Sequence, residues 1–458
     1  MAVAKRSRIK FVSRPSLRPF SSYAADVYAF LIGLTIPFST HFIGDLPVGE
    51  VLLLCAMPLL IAFGVKRAFR ENLRTVYVLM ALWLLGLIVA DVYNDTSIVD
   101  RMRGMALIVF FGLDLVALCI LLGRNERRKL WFFVGVTIGA LASVKLQPSE
   151  ASDAYPWKFG YAWGTMQAVI LICCFFYSRR RYVEGAICIV ALIVVNLLFN
   201  FRSPVLYLLI TLVLVFPVIP ERIGRLQILP GGMTARVVTL AILSIGAAGF
   251  ASTLVDFVTH AGYIDAESQA KNESQSQSGN LLLGGRPEFV IGLRAALDSP
   301  IIGHGSWAHD MKYFEMLNDM EIEEGVIPEQ GDPDAEADGL IPGHSHIVTA
   351  WVWAGILGLI FWIYLIWMIF KGVVQVTILK PALAPLYMWM MLGTVWDIFF
   401  SPFAFTRRIG EAILIVIVAD LIEKKVVVAP AVWRRMGAIN SGRFFGQGSG
   451  STAPAQPR

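Results

Sequence analysis

The sequence predicts an all-α polytopic membrane protein, with about twelve transmembrane helices and one large, mainly helical periplasmic loop. Three observations predict it. Of the 458 residues 56% are hydrophobic and 16% charged, with a mean hydropathy of +0.64, which excludes an ordinary soluble enzyme. The apolar residues form long unbroken runs, such as 104–123, where a transmembrane β-barrel would show alternating strands of about ten residues. The basic residues cluster between the runs, where they set topology, so the net charge of +5 implies no nucleic-acid partner.

The elements follow in order. Residues 1–22 carry Lys5, Arg6, Arg8, Lys10, Arg14 and Arg18 but no apolar core long enough for a secretory leader. The first span, 23–43, therefore reads as a signal anchor behind a cytoplasmic tail. Apolar runs of membrane-crossing length then place spans at 46–64, 75–93, 104–122, 130–146, 160–177, 183–200, 204–219 and 235–255, completing a membrane region 23–255. Every second connection is basic: Lys66, Arg67, Arg70 and Arg74; Arg124, Arg127, Arg128 and Lys129; Arg179, Arg180 and Arg181; Arg222, Arg225 and Arg236. By the positive-inside rule these connections are cytoplasmic.

Residues 256–345 are the one extramembrane segment large enough to hold a small fold, on the periplasmic side. Residues 267–279 are rich in Ser and Gln, 286–297 have helical spacing of apolar residues, and 315–338 are acid-rich without the ligand spacing of a calcium loop. Three further spans, at 346–370, 382–400 and 409–422, make up residues 346–425. The tail 426–458 has the composition of a disordered cytoplasmic extension. The five cysteines all lie inside apolar runs and read as packing residues, neither a disulfide framework nor a metal site.

A few cations run against the topological bias: Arg101, Arg103, Lys145, Lys158, Arg202, Arg286, Arg294, Arg407 and Arg408. A phosphate-bearing substrate at the outer leaflet would hold them there, because guanidinium forks bind phosphate bidentately; snorkelling to lipid headgroups is the competing explanation. Asn196 and Asn200 lead a polar stripe to Arg202 from within the bilayer. His344, Ser345 and His346 precede a Trp-rich span, and a histidine near a helix start is suited to accept a proton. Gly355 and Gly358 share a helix face and read as packing glycines.

Together these residues resemble the O-antigen ligase and O-antigen polymerase superfamily of bacterial surface-polysaccharide assembly. The resemblance rests on His344-Ser345, nine residues, then Gly355-x-x-Gly358; on Gly285-Arg286 leading to Pro300-Ile301-Ile302-Gly303-His304-Gly305; and on Arg202 in Phe201-Arg202-Ser203. It covers roughly residues 23–425. It implies an inner-membrane glycosyltransferase moving a glycan from an undecaprenyl-diphosphate carrier to an acceptor hydroxyl, with inversion and without metal, nucleotide sugar or other cofactor. His344 would be the base, with Arg286 and Arg202 on the departing diphosphate. Arg407, Arg408, Glu288 and His304 would be further substrate contacts, Glu288 being the alternative base.

The acceptor would be a glycolipid, lipid A-core in a ligase, or a second lipid-linked glycan in a polymerase, which would add a chain-length regulator as a possible partner. Arg407 and Arg408, near Asp397, favour a ligase; the acidic run 315–338 weighs against it. A transporter for an anionic lipid or solute is the reading from another class. The two halves show no internal repeat, and alternating access has no need of so large an outer loop.

Overall fold

The computed structural model describes residues 20–40, 46–216, 246, 249, 286–323 and 339–423. Apart from Gly246 and Gly249, the expected ninth span 235–255 lies outside the described residues, as do the Ser/Gln-rich stretch, the acidic residues after Glu323, and the tails 1–19 and 424–458.

The described chain is helical apart from one short strand pair. Helices α1 (Phe20–Thr35), α2 (Val48–Ala68), α3 (Glu71–Tyr93), α4 (Ile98–Leu121) and α5 (Glu126–Leu146) are followed by a short α6 (Glu150–Ala154) and a π-helical turn (Pro156–Tyr161). That turn runs into α7 (Ala162–Ser178), α8 (Tyr182–Leu198) and α9 (Arg202–Val215). Then come α10 (Pro287–Asp298), α11 (Met311–Glu323), α12 (His346–Leu379), α13 (Ala384–Phe400) and α14 (Phe405–Glu423).

Among the described residues five helical stretches are long and apolar enough to cross a membrane: Glu71–Tyr93, Ile98–Leu121, Glu126–Leu146, Pro156–Ser178 and His346–Leu379. The surface agrees with that use. On α3 the exposed residues Val78, Leu82, Leu85, Val89 and Val92 form an apolar stripe at helical spacing, opposite a buried face of Val76, Met80, Trp83, Leu87 and Ala90. A helix apolar on both faces suits protein on one side and lipid on the other. Val183, Ile187, Val190, Val194 and Leu198 make the same outward stripe on α8.

The first expected span is too long. The α1 helix stops at Thr35, just before Pro37, and Ser39–Thr40 (β1) pairs antiparallel with Leu46–Pro47 (β2) where the span was expected to continue. Proline has no N–H to continue the helical ladder. The expected outer connection 147–159 carries structure of its own: Ser149 and Ser152 form a capping box that starts α6.

Side-chain bonds sort the helix ends into two groups. At one end the starts of α3, α5 and α13 meet the ends of α4 and α14: Asp420 accepts from Arg70 and, at 2.6 Å, from Lys129; Glu423 accepts from Arg124; and Tyr387 donates to Glu126. This is the basic end, rich in the clusters between the spans. Lys129 and Asp420 are both about 1% exposed there, so each charge depends on its partner to offset desolvation. At the other end the starts of α2, α12 and α14 meet the ends of α3 and α13, and α10 and α11 lie over them.

Beneath that second end sits an aromatic core. Phe403, in the α13–α14 turn, packs within 6 Å of Trp83, Phe111 and Trp362, and Trp83 stacks on Phe361 at 5.1 Å.

Helix α12 holds the largest departure from expectation. As one rod its 34 residues would be about 51 Å long, well beyond a hydrocarbon core of about 30 Å. It is broken at Gly355, where φ 60° and ψ −150° belong to a region only glycine occupies comfortably. The first part folds back until Gly358 touches the Ala350 carbonyl, leaving residues 356–379 as the span. The segment 299–305 fills the break: His304 N–H donates to Val352 O (2.6 Å), Gly305 N–H to Trp353 O (3.1 Å) and Ile356 N–H to Ile301 O (3.2 Å). Backbone groups released by the break are thus satisfied by a loop that Gly303, at φ 88°, lets approach closely.

Gly355 is therefore a hinge that receives the loop, a correction to its reading as a helix-packing glycine. A Gly355→Ala protein is expected to lose about 2 kcal/mol from the strained backbone, and more because its new Cβ would strike the Ile301 carbonyl. Thermal unfolding in detergent measures this as a lower melting temperature; an unchanged melting temperature would mean that the break is not a feature of the folded protein.

Candidate active site at the outer end of helix α13

The last turn of an α-helix leaves carbonyls without intrahelical partners. In α13 these become the frame of a site. Ser345 caps α12 by accepting from Val348 N–H and donates its hydroxyl to Ile398 O at 3.0 Å. His346 Nδ1 donates to Ser401 O at 2.6 Å, which fixes the proton on that nitrogen. The start of α12 is thereby stapled to the end of α13. His344 precedes the staple by one residue, is exposed, and makes no hydrogen bond or ion pair among the described residues.

The same helix end carries Arg286. This residue is the N-cap of α10, and its guanidinium lies over Phe400 at 4.0 Å and Trp396 at 4.6 Å, while Phe289 packs on Phe400 at 5.7 Å. Trp396 and Phe400 are one turn apart, so α13 offers both ring faces to one cation. The Nη1 atom of Arg286 is buried with no hydrogen-bond partner among the described residues. Burial pulls the guanidinium below its usual pKa and the nearby Glu288 carboxylate opposes that. Arginine remains charged in proteins even so. A partly desolvated cation with an unused donor has the chemistry to hold an anion.

Further residues complete this end. Asp397 accepts from Arg407 at 2.7 Å and from the Ser401 hydroxyl at 2.6 Å, the pairing expected from their proximity in the sequence. Arg202 opens α9, a helix that packs on α13, and donates from Nε to Asn200 Oδ1 at 3.1 Å. Asn196 is buried and accepts from Trp157 Nε1 at 3.4 Å, but Asn200 lies past the end of α8 with φ 50°, so the two do not form the stripe along one helix face that their spacing suggests.

Arg286, Glu288, His344 and Arg407 are thus gathered around the end of α13, and Arg202 lies on a helix packed against α13. Gly285 lies outside the described residues. Two expected contacts point elsewhere. Arg408 faces inward and is held bidentately by Glu50, at 3.1 and 2.6 Å, with the pair at most 5% exposed. It has no free charge to offer a substrate at the surface. His304 turns its ring under α10, where Nε2 donates to Ala295 O at 2.8 Å and the ring meets Tyr313 edge-on. It supports the helix that presents Arg286.

Other groups at this end escaped the sequence reading. Asp91, on α3, accepts from Ser306 N–H at 2.6 Å and from its hydroxyl at 2.8 Å, clamping the loop that fills the α12 break. Asp114 is buried beside Glu50, within electrostatic reach of Arg408, and Glu411 Oε1 stands 3.8 Å from His346 Nε2. The available signal was a single acidic residue inside an apolar run, which is costly in a membrane and so rarely idle. Below α10, Lys312 and Tyr313 donate to Asp298 at 2.8 and 2.7 Å, which holds that carboxyl below its ordinary pKa and ties α11 to α10.

Compared with models of known protein families and with curated proteins, the chain matches none.

Proposed function

We propose that the protein is a membrane glycosyltransferase of the O-antigen ligase type, acting at the periplasmic face of a bacterial inner membrane. It would transfer a glycan from an undecaprenyl-diphosphate carrier to a sugar hydroxyl of an acceptor glycolipid. The observation that carries this reading is the Arg286 guanidinium, partly desolvated over Trp396 and Phe400 with a buried donor unpaired among the described residues, at the same helix end as the exposed His344.

The chemistry follows from those two groups. The bond between the anomeric carbon and the diphosphate oxygen breaks as the acceptor oxygen bonds to that carbon. His344 takes the hydroxyl proton and later releases it to water. Diphosphate leaves as an anion, so the site needs a cation where a glycosidase needs an acid. Arg286 supplies it, with Arg202 as a second contact. Glu288 lies two residues from Arg286, within electrostatic reach of it, and is the alternative base.

A polymerase, joining one lipid-linked glycan to another, is the second reading, and one observation favours it. Arg407 and Arg408 were the ground for expecting an anionic lipid A-core, yet both are bound to carboxylates of the same chain, Asp397 and Glu50. Offering the purified protein one lipid-linked donor, with or without lipid A-core, separates the readings. Transfer to the core supports the ligase; a ladder of lengthening chains from donor alone, with the core untouched, supports the polymerase and removes the ligase.

A further inference from the structure

The basic end of the bundle holds a cavity that the proposed reaction does not use. Its volume is about 520 Å³, and it lies between the α2–α3 and α4–α5 turns. Its lining is Lys66, Arg67, Arg70, Leu122, Gly123, Arg124, Asn125 and Arg128, which includes five cations and no acid. Local carboxylates account for part of the charge: Arg70 is bound to Asp420, Arg124 to Glu423, and Arg128 to Asp26. Lys66 and Arg67 are exposed and have no carboxylate partner among the described residues; Arg67 reaches only the Ile120 carbonyl, at 3.5 Å.

Positive charge concentrated in a concave site, with two cations unneutralised, attracts an anion of more than one charge. The cavity lies just past the end of α4, a helix long and apolar enough to cross a membrane, and such a crossing would bring it level with the lipid phosphates. Its volume exceeds what one phosphate group occupies and leaves room for a phospholipid headgroup.

We infer that this cavity binds a phosphate-bearing anion, supplied by the headgroup of an anionic phospholipid, with Lys66 and Arg67 as its principal contacts. The inference does not depend on the reaction at the opposite end.

The test uses the full-length protein in neutral detergent and counts bound lipids by native mass spectrometry. Phosphatidic acid is compared with phosphatidylcholine of the same acyl chains, and inorganic diphosphate serves as a soluble competitor. Wild-type protein should prefer phosphatidic acid. The Lys66→Gln/Arg67→Gln double variant, altered only at exposed positions, should bind it on the order of thirtyfold more weakly, from two lost near-surface charges. A matched variant, Arg179→Gln/Arg180→Gln, changes exposed cations in the α7–α8 turn, outside the cavity lining, and should bind as wild type does.

Retention of the lipid against diphosphate at similar concentration supports the headgroup as the source, whereas its displacement would overturn that source and assign the cavity to soluble phosphates. Equal weakening in the two double variants would show a diffuse charge effect and overturn the site, as would equal binding of both lipids by wild-type protein.

Discussion

Replacing His344 with Ala is expected to lower glycan transfer by about 10²- to 10⁴-fold per folded molecule, the usual contribution of a positioned general base. The side chain is exposed and makes no hydrogen bond or ion pair among the described residues, so its loss should leave folding untouched. His346→Ala is expected to behave in the opposite way. That histidine is fully buried, holds the Ser401 carbonyl and meets Trp362 and Phe403 edge to face or tilted, so its removal should lower stability while the folded fraction still transfers glycan. Melting temperature and transfer rate, measured on both variants, separate the two roles. Equal transfer by the two, or greater loss at His346, would remove His344 from the mechanism and leave Glu288 as the base to examine.

Arg286→Lys is expected to be nearly as damaging as Arg286→Ala, each costing about 3 kcal/mol, on the order of a hundredfold in rate. An ammonium can still sit over Trp396 and Phe400, but it cannot present the planar fork that holds two phosphate oxygens. The Lys variant thereby distinguishes an anion-binding arginine from a structural one. Full activity in Arg286→Lys at normal expression would mean that the aromatic platform, and not a substrate, is what the cation serves.

Much of this architecture is legible in the chain because burial in a membrane demands long apolar runs. The runs at 75–93 and 130–146 lie within α3 and α5, the run at 104–122 ends one residue past α4, and the apolar spacing over 286–297 lies almost wholly within α10. Errors arise where sequence spacing has two structural solutions. A glycine that lets helices approach and a glycine that breaks one look alike, so the Gly355 hinge is invisible until the loop carbonyl of Ile301 is seen filling it. Arg407 and Arg408 are neighbours in sequence but point to different sides of a helix, and the partner that draws Arg408 inward, Glu50, is 358 positions away. The platform under Arg286 was readable in principle as two aromatics one turn apart, Trp396 and Phe400. What no local pattern discloses is that α10 lays Arg286 across them.

The central claim is transfer of a glycan from a lipid diphosphate, and its most direct test is a closed assay in detergent. Purified protein, a lipid-linked oligosaccharide and an acceptor are mixed without vesicles, and products are resolved by mass. Glycan bonded to the acceptor, with stoichiometric release of the carrier diphosphate and with that product missing in Arg286→Ala, is the predicted result. Glycan remaining on its carrier in detergent, while the same protein in vesicles moves the intact lipid across the bilayer, would contradict the claim and identify a transporter.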